Sequence, residues 1–433
     1  MDESTDTFTK AWIIFIAVVF LAVYYFSVDV NWETPAIAKP VVLAMFYYLY
    51  LICMRSVIIL GLSFWDYLFR QTLTEMDYDP IVTIIIPCFN EEAVIQESIR
   101  SVSLIEYPNL EILVVDDGST DDTFIKAHEM AKTMPNVRVI LKENGGKADA
   151  LNRGIMEALG DFVICMDADS KLHPEVVANA LPFFNNNENL AAVAGNVRVR
   201  GVKNMLGLFQ KLEYIIGLNF HKTAQSSLNA VTIVPGPIGV FRKEAVLSVG
   251  GYETKTFAED ADLTIKLLTD GWHIKYSPDV IAYTEVPDNL YELFVQRYRW
   301  SRGTIQAITK NILKFRRHNL NWRSIATLLY VGVETMLIPT INFVFAMLTI
   351  FFALQFDIGN LYGPFFAGLT IMDATLALYS IITEREVKSL IFLAIIGRLT
   401  YGFMLEIIRF YSMVDELLNI PMKWGQLTRK GMN

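Results

Sequence analysis

The chain is poor in charge. Only 19% of its 433 residues are Asp, Glu, Lys or Arg against 53% hydrophobic residues, too apolar a balance for a wholly soluble protein of this length. Part of it is therefore expected in lipid. Its three cysteines, Cys53, Cys88 and Cys165, lie in apolar runs without paired spacing. Neither a disulfide framework nor a zinc site is expected, and the thiols should be reduced and buried. There is no basic surplus either. The formal net charge of -9 argues against nucleic acid as a partner, because phosphate backbones are held by basic surfaces. The N-terminus, MDESTDTF, has no basic start, and Val28 runs into Asp29, Val30 and Asn31 without a small-residue cleavage site. An uncleaved first anchor is predicted in place of a secretory signal. Internal repeats and long low-complexity tracts are also lacking; Asn185 to Asn189 reads as a polar loop.

What is present falls into blocks. Ala11 to Val28 is uncharged and, at about 18 residues, approaches the roughly 20 needed to cross a bilayer as a helix. Pro40 to Phe69 is long enough to cross, with Arg55 inside it needing to snorkel or find a partner. Leu328 to Leu354, Pro364 to Thr383 and Leu390 to Met413 follow later. The last carries Arg398, Glu406 and Arg409, which are costly facing lipid, so an interfacial or helix-packed course is expected for part of it. Lys310, Lys314, Arg316, Arg317 and Arg323 flank the second hydrophobic block and predict a cytoplasmic side for the region before it. Lys423, Arg429 and Lys430 also favour the cytoplasm, which three full downstream crossings would not allow. One of those segments is expected not to span fully.

Between the hydrophobic blocks, apolar strands alternate with helical patterns, the signature of an α/β domain with a largely parallel sheet. The predicted strands are Val82 to Ile86, Glu111 to Val115, Val137 to Leu141, Asp161 to Met166 and Leu190 to Ala194, with helices beginning near Glu91, Asp121, Lys147 and Pro174. The organisation expected is residues 1–70 as two membrane helices and 71–300 as the α/β domain. A basic interfacial segment over 301–325 precedes membrane and interfacial helices with a tail over 326–433.

Polar residues cluster where these strands should end. FVICMDADS delivers Asp167 and Asp169 from an apolar strand, hard oxygen ligands suited to a divalent cation and its phosphates, although a solvated turn has the same look. IIIPCFNEE runs a buried strand through Cys88 into a turn and Glu91. In VVDDGSTDDT, one of Asp116 and Asp117 can cap the next helix while the second accepts a hydrogen bond from a base N–H or ribose hydroxyl. ENGGKADALN brings Lys147 to a helix start beyond a Gly-Gly turn, a place that favours an anion, without the spacing of a P-loop. FAEDADLTIKLLTDGW puts Glu259 and Asp260 at another helix start. These are ordinary dipole partners there, yet the same dipole should keep Asp260 ionised and able to act as a general base. In LFVQRYRWSRG a helix would place Gln296 and Arg299 on one face with Trp300 beside them. That set is able to grip a diphosphate and back a sugar ring, or simply to anchor at an interface.

Taken in order, PCFNEE, VVDDGS, GGKADALN, DAD, Glu259-Asp260 and Gln-x-x-Arg-Trp resemble the processive membrane glycosyltransferases of family 2, the synthases of cellulose, chitin, hyaluronan and poly-N-acetylglucosamine. The likeness covers roughly residues 80 to 305. It implies a GT-A (Rossmann-like) cytosolic domain inserted between N- and C-terminal transmembrane helices of a multi-pass plasma (inner) membrane protein. It implies uridine contacts from Asp117 and the Cys88 turn, and a Mg2+ or Mn2+ and diphosphate site at Asp167 and Asp169. Asp260 would be the catalytic base, and Gln296, Arg299 and Trp300 would clamp acceptor and diphosphate. Partners implied are a UDP-sugar donor, a growing polysaccharide acceptor and membrane lipid, with room for an accessory export or regulatory subunit. Ala258 departs from the frequent Thr-Glu-Asp, the gating-loop motif of bacterial cellulose synthase is not evident, and WGQLTRK near the C-terminus is only faintly similar to the hyaluronan synthase Trp-Gly-Thr-Arg loop. The expected activity is inverting polymerisation of a UDP-sugar, with N-acetylglucosamine favoured. The rivals are addition of one sugar to a lipid carrier and a silent nucleotide-sugar-binding export subunit.

Overall fold

The computed structural model describes residues 39–69, 76, 78–315, 322–355 and 359–421. The expected first anchor, Ala11 to Val28, the basic residues Arg316 and Arg317, and the tail from Lys423 to Lys430 lie outside the described residues.

The α/β domain is built on eight strands: β1 (Val82–Cys88), β2 (Leu110–Asp116), β3 (Val137–Leu141), β4 (Phe162–Cys165), β5 (Lys171–Leu172), β6 (Leu190–Val199), β7 (Gly239–Arg242) and β8 (His273–Thr284). Their spatial order is β3-β2-β1-β4-β7-β6-β8-β5. The first four pair in parallel, whereas β7 runs antiparallel to both β4 and β6. Every residue of β1 and β2 is buried because alternate side chains enter different layers. Ile84, Ile86, Ile112 and Val114 join one core, and Ile85, Leu113 and Val115 join the other. Helices on both faces are what a parallel sheet of continuous apolar strands requires.

Three strands were not foreseen. β7 has four residues and β5 two, too short to show a period, and Ser277-Pro278-Asp279 interrupts the alternation of β8. The expected strand at Leu190 continues to Val199, where β6 pairs in parallel with β8 around register shifts. The sheet is therefore mixed.

Helices in chain order are α1 (Lys39–Leu68), α2 (Ile95–Ser103), α3 (Thr123–Thr133), α4 (Lys147–Glu157), α5 (Val176–Ala180), α6 (Met205–Glu213), α7 (His221–Ser226), α8 (Lys243–Ser248), α9 (Glu259–Thr269) and α10 (Leu290–Phe315). A π-helical turn, Tyr214–Phe220, joins α6 to α7. Helices expected near Glu91, Asp121 and Pro174 start two to four residues later, behind tight turns. The boundary drawn at residue 300 lies within α10, so Gln296 to Trp300 and Lys310 ride on one helix.

Beyond it come α11 (Trp322–Gly332), α12 (Ile338–Gln355), α13 (Gly359–Thr383), α14 (Ile391–Gly397) and α15 (Phe403–Leu417), with π-helical turns at Val333–Leu337 and Arg398–Gly402. Among the described residues, Pro40–Leu68, Ile325–Phe351 and Phe366–Thr383 are long and apolar enough to cross a bilayer, and Lys388–Gly397 with Thr400–Leu417 forms a pair bent by 57°. The bend falls in the segment whose charges make it impure. Charged groups in these helices are matched: Arg55 forks onto Glu334, Arg398 meets Asp373 at 2.8 Å and Arg409 meets Glu406 at 3.4 Å. Tyr48, Asn342 and Glu406 continue the last contact as a hydrogen-bonded chain.

Candidate active site

β2 ends on two aspartates that do different work. Asp116 is fully buried and accepts a hydrogen bond from the Ser119 N–H at 2.7 Å, while its Oδ2 has no donor among the described residues. Asp117 is saturated: Oδ1 accepts from Gly145 N–H at 3.0 Å and Lys142 Nζ at 2.5 Å, and Oδ2 from Gly146 N–H at 2.7 Å. Its own N–H donates to the Cys88 carbonyl at 2.9 Å. Asp117 thus fastens the Gly-Gly loop to the strand ends. The oxygen left without a donor among the described residues is Asp116 Oδ2, which is itself buried. Cys88 is 3% exposed, with burial and then the Asp116 charge pushing its thiol up. Glu91 is also buried and donates its backbone N–H to Thr123 Oγ1. Both belong to the floor of this corner.

The fastened loop sets Lys147 as the first residue of α4. Its Nζ lies 2.5 Å from Asp167 Oδ1 and 2.8 Å from Glu259 Oε1, joining β4's end to the start of α9. Burial works against the ammonium, but the two carboxylates outweigh it and raise its pKa. With 39% of the side chain accessible, the lysine stays within reach of a ligand. The Asp167–Asp169 turn is held from behind, because Ser98 on α2 donates to the Ala168 carbonyl and Glu97 pairs with Lys171. Both aspartates are half-buried.

Gly236 closes the opposite wall. A Cβ there would lie 3.0 Å from Lys147 Nζ and 3.3 Å from Asp167 Oδ2, so its bare Cα leaves that carboxylate open. The Gly236 N–H points to Asp260 Oδ2 at 3.3 Å. Asp260 sits in the first turn of α9 and accepts from the Ala261 N–H at 2.8 Å. Its pKa is pushed up to about 6 by burial and then by the neighbouring Glu259 charge, against the pull of Lys147. Desolvation thus outweighs the helix dipole in setting the direction of the shift, yet a value near 6 still leaves the carboxylate mostly ionised at neutral pH, as expected of a base. Lys147, Cys165, Met166, Gly236, Tyr252, Glu259 and Asp260 line one pocket. Asn152 holds the Tyr252 backbone by accepting its N–H at 2.7 Å and donating to its carbonyl at 2.8 Å.

α10 brings the last cluster. Gly303 presses on the entrance to α9, where a Cβ would fall 2.4 Å from the Ala258 N. Gln296, Arg299 and Trp300 occupy the same helix as expected, half-buried, and Trp300 packs on the sheet core. Tyr214 lies beside Trp300, ring centroids 6.4 Å apart, and is close enough to feel the charges of Asp169 and Asp167. Sequence reasoning missed Arg297, which is 5% exposed, sits over the Trp300 ring at 4.2 Å and donates to Gln296 Oε1. It also missed Glu213, Tyr214 and Asn152, which gave no local signal.

A mixed sheet whose strand ends gather an open buried aspartate, an Asp-x-Asp turn, a bridging lysine and an acidic helix start defines the GT-A class of glycosyltransferase fold. A family model described as Glycosyl transferase family 2 matches residues 83–250, which lie within the α/β domain. Poly-beta-1,6-N-acetyl-D-glucosamine synthase of Staphylococcus aureus (strain COL) is 31% identical over 258 residues, 58% of this chain and 63% of that protein. The synthase of the same description from Staphylococcus epidermidis is 32% identical over 244 residues, 56% of this chain and 59% of that protein. The chain thus matches just under two thirds of the length of these relatives. In fold it is similar to a mannosyltransferase, PcManGT of Pyrobaculum calidifontis, solved in complex with GDP-Man and Mn2+. The TM-score is 0.63 at 22% identity, covering 88% of this chain and 99% of that one.

Proposed function

We propose that the protein is an inverting, processive β-glycosyltransferase that polymerises a UDP-sugar, most simply UDP-N-acetylglucosamine, and passes the polymer across the plasma membrane from a cytosolic site. The observation that carries the reading is Lys147 bridging Asp167 and Glu259 beside Asp260. A cation between carboxylates, next to a titratable carboxylate in a cleft, is what displacement of an anionic leaving group needs. The N-acetylglucosamine preference rests on the staphylococcal relatives.

In the proposed reaction Asp260 takes the proton of the acceptor hydroxyl, for which a pKa near 6 is well matched to neutral pH. The acceptor oxygen bonds to the anomeric carbon from the face opposite UDP, and the bond to the phosphate oxygen breaks with its electron pair leaving on UDP. No covalent sugar–enzyme intermediate is needed, and an already acidic leaving group needs no second carboxyl as general acid. In this reading the base N–H is met by the aspartates at the end of β2, of which Asp116 Oδ2 lacks a donor among the described residues but is buried. Lys147 moves charge toward the diphosphate.

A divalent cation, Mg2+ or Mn2+, fits the residues present. Asp167 and Asp169 offer hard oxygens, and the missing Cβ of Gly236 leaves the Asp167 carboxylate uncovered. Held there, the cation would neutralise diphosphate charge as UDP leaves. The similar mannosyltransferase fold was solved with Mn2+ and GDP-Man, which is in keeping with this choice.

A second reading, addition of one sugar to a membrane lipid, is favoured by the bundle itself. Arg55, Glu334, Asp373, Arg398, Glu406 and Arg409 pair with one another, leaving few of its charges for a passing polymer. Full-length protein in vesicles, given each UDP-sugar separately, should release UDP with UDP-N-acetylglucosamine and build a ladder of products. A single glycolipid would favour the second reading, and no UDP release with any donor would end both.

A further inference from the structure

Arg297 is a buried, fully engaged cation near the site, yet nothing in the reaction above uses it. Its Nε and Nη2 fork onto Glu213 at 3.0 and 2.7 Å, its Nη1 donates to Gln296, and its plane lies over the Trp300 ring. Glu213 stands at the end of α6, and the Tyr401 hydroxyl donates to its Oε2 as well. Tyr401 comes from the π-helical turn at the bend of the C-terminal apolar segment, and its ring stacks on Phe209 of α6, centroids 5.4 Å apart and 5° from parallel. Three residues earlier the same turn sends Arg398 to Asp373 on α13. The extra residue of a π turn thus aims one side chain at a neighbouring apolar helix and another at the soluble domain.

We propose that Glu213, Arg297 and Tyr401 are positioning residues for the Trp300 ring as the platform of the acceptor sugar, so that the bent C-terminal segment is part of the acceptor site. A guanidinium held by a fork and resting on an indole fixes the tilt of that ring. Tyr401 completes the carboxylate's hydrogen bonds and ties this geometry to the membrane-side turn. The inference rests on the transferase reading for the identity of its ligand, an oligosaccharide of the polymerised sugar.

The test uses full-length protein in detergent, with an N-acetylglucosamine oligosaccharide as probe and indole fluorescence as signal, the Trp300→Phe variant defining the part due to that ring. Tyr401→Phe keeps the Phe209 stack and should fold with UDP affinity and thermal midpoint close to wild type, whereas Arg297→Lys keeps the charge but gives up the fork and should lower the midpoint. Each should weaken oligosaccharide binding about 10-fold or more, the scale of one lost hydrogen bond to a charged group, and UDP affinity should hold in both. In turnover assays the acceptor KM should rise while the donor KM holds. Oligosaccharide affinity unchanged in both variants overturns the inference, as does loss of UDP and oligosaccharide binding in proportion to a lowered midpoint. So does a wild-type protein whose oligosaccharide signal survives Trp300→Phe, or which binds none. Absence of UDP-sugar turnover by a wild type that still binds the oligosaccharide through Trp300 would instead count against the transferase reading alone.

Discussion

Gly303→Ala should separate activity from stability. The added Cβ would stand 2.4 Å from the Ala258 N, 2.5 Å from the Ala258 Cβ and 2.7 Å from the Phe257 carbonyl carbon. Comfortable contact for such atoms is about 3.5 Å or more, so α10 must retreat from the α9 entrance by about 1 Å. No side-chain rotation relieves the clash, because two of the three atoms are backbone. Overpacking of this kind costs about 1–3 kcal/mol, and alanine regains up to about 1 kcal/mol of helix propensity over glycine. The net stability loss is therefore about 0–3 kcal/mol. The displacement falls between the helix carrying Trp300 and the helix carrying Asp260, and a misplacement of about 1 Å in reacting geometry is worth about 100-fold in rate. Thermal midpoint in detergent and UDP release measured on one preparation would show a small shift beside a large loss of turnover. Turnover within about threefold of wild type would refute the claim that this close approach sets the site.

The pH profile should follow Asp260. With its pKa near 6, kcat/KM should rise about tenfold per pH unit below that value and level off above it, and a flat profile from pH 5 to 8 would count against the base assignment. The sign for folding is opposite: the native state binds this proton more tightly than the unfolded chain, whose pKa is about 3.8, so the stabilisation is present at low pH and is lost as pH rises toward 6. In the apolar helices, Arg55→Met leaves Glu334 without its partner and should cost about 3 kcal/mol, with Arg55→Met/Glu334→Met recovering most of it. Thermal inactivation of both variants in detergent checks this, and a double variant no better than the single would contradict it.

The elements legible in the sequence were those with enough length to show a period. β1, β2 and β4 read as continuous apolar runs ending in turns, and their parallel packing brings Asp116, Asp167 and the Gly-Gly-Lys loop to one edge of the sheet. β7 and β5 were too short to read, and their antiparallel pairing is what makes the sheet mixed. Within the site, residue types were legible but partnerships were not. Nothing in DDGS says that Asp117 spends its oxygens on backbone N–H groups 28 and 29 residues downstream while Asp116 keeps one open. Arg297 was hidden between two residues of a motif, and Glu213 and Tyr401 are 188 positions apart. Such contacts depend on where the C-terminal segment bends, which hydropathy alone does not specify.

The central claim is that Asp260 is the base of a sugar-transfer site whose donor is held by other residues. Purified Asp260→Asn protein should bind UDP with wild-type affinity and transfer sugar more than about 100-fold more slowly, a loss typical of a missing general base. Sugar transfer by that variant at a rate near wild type would contradict it.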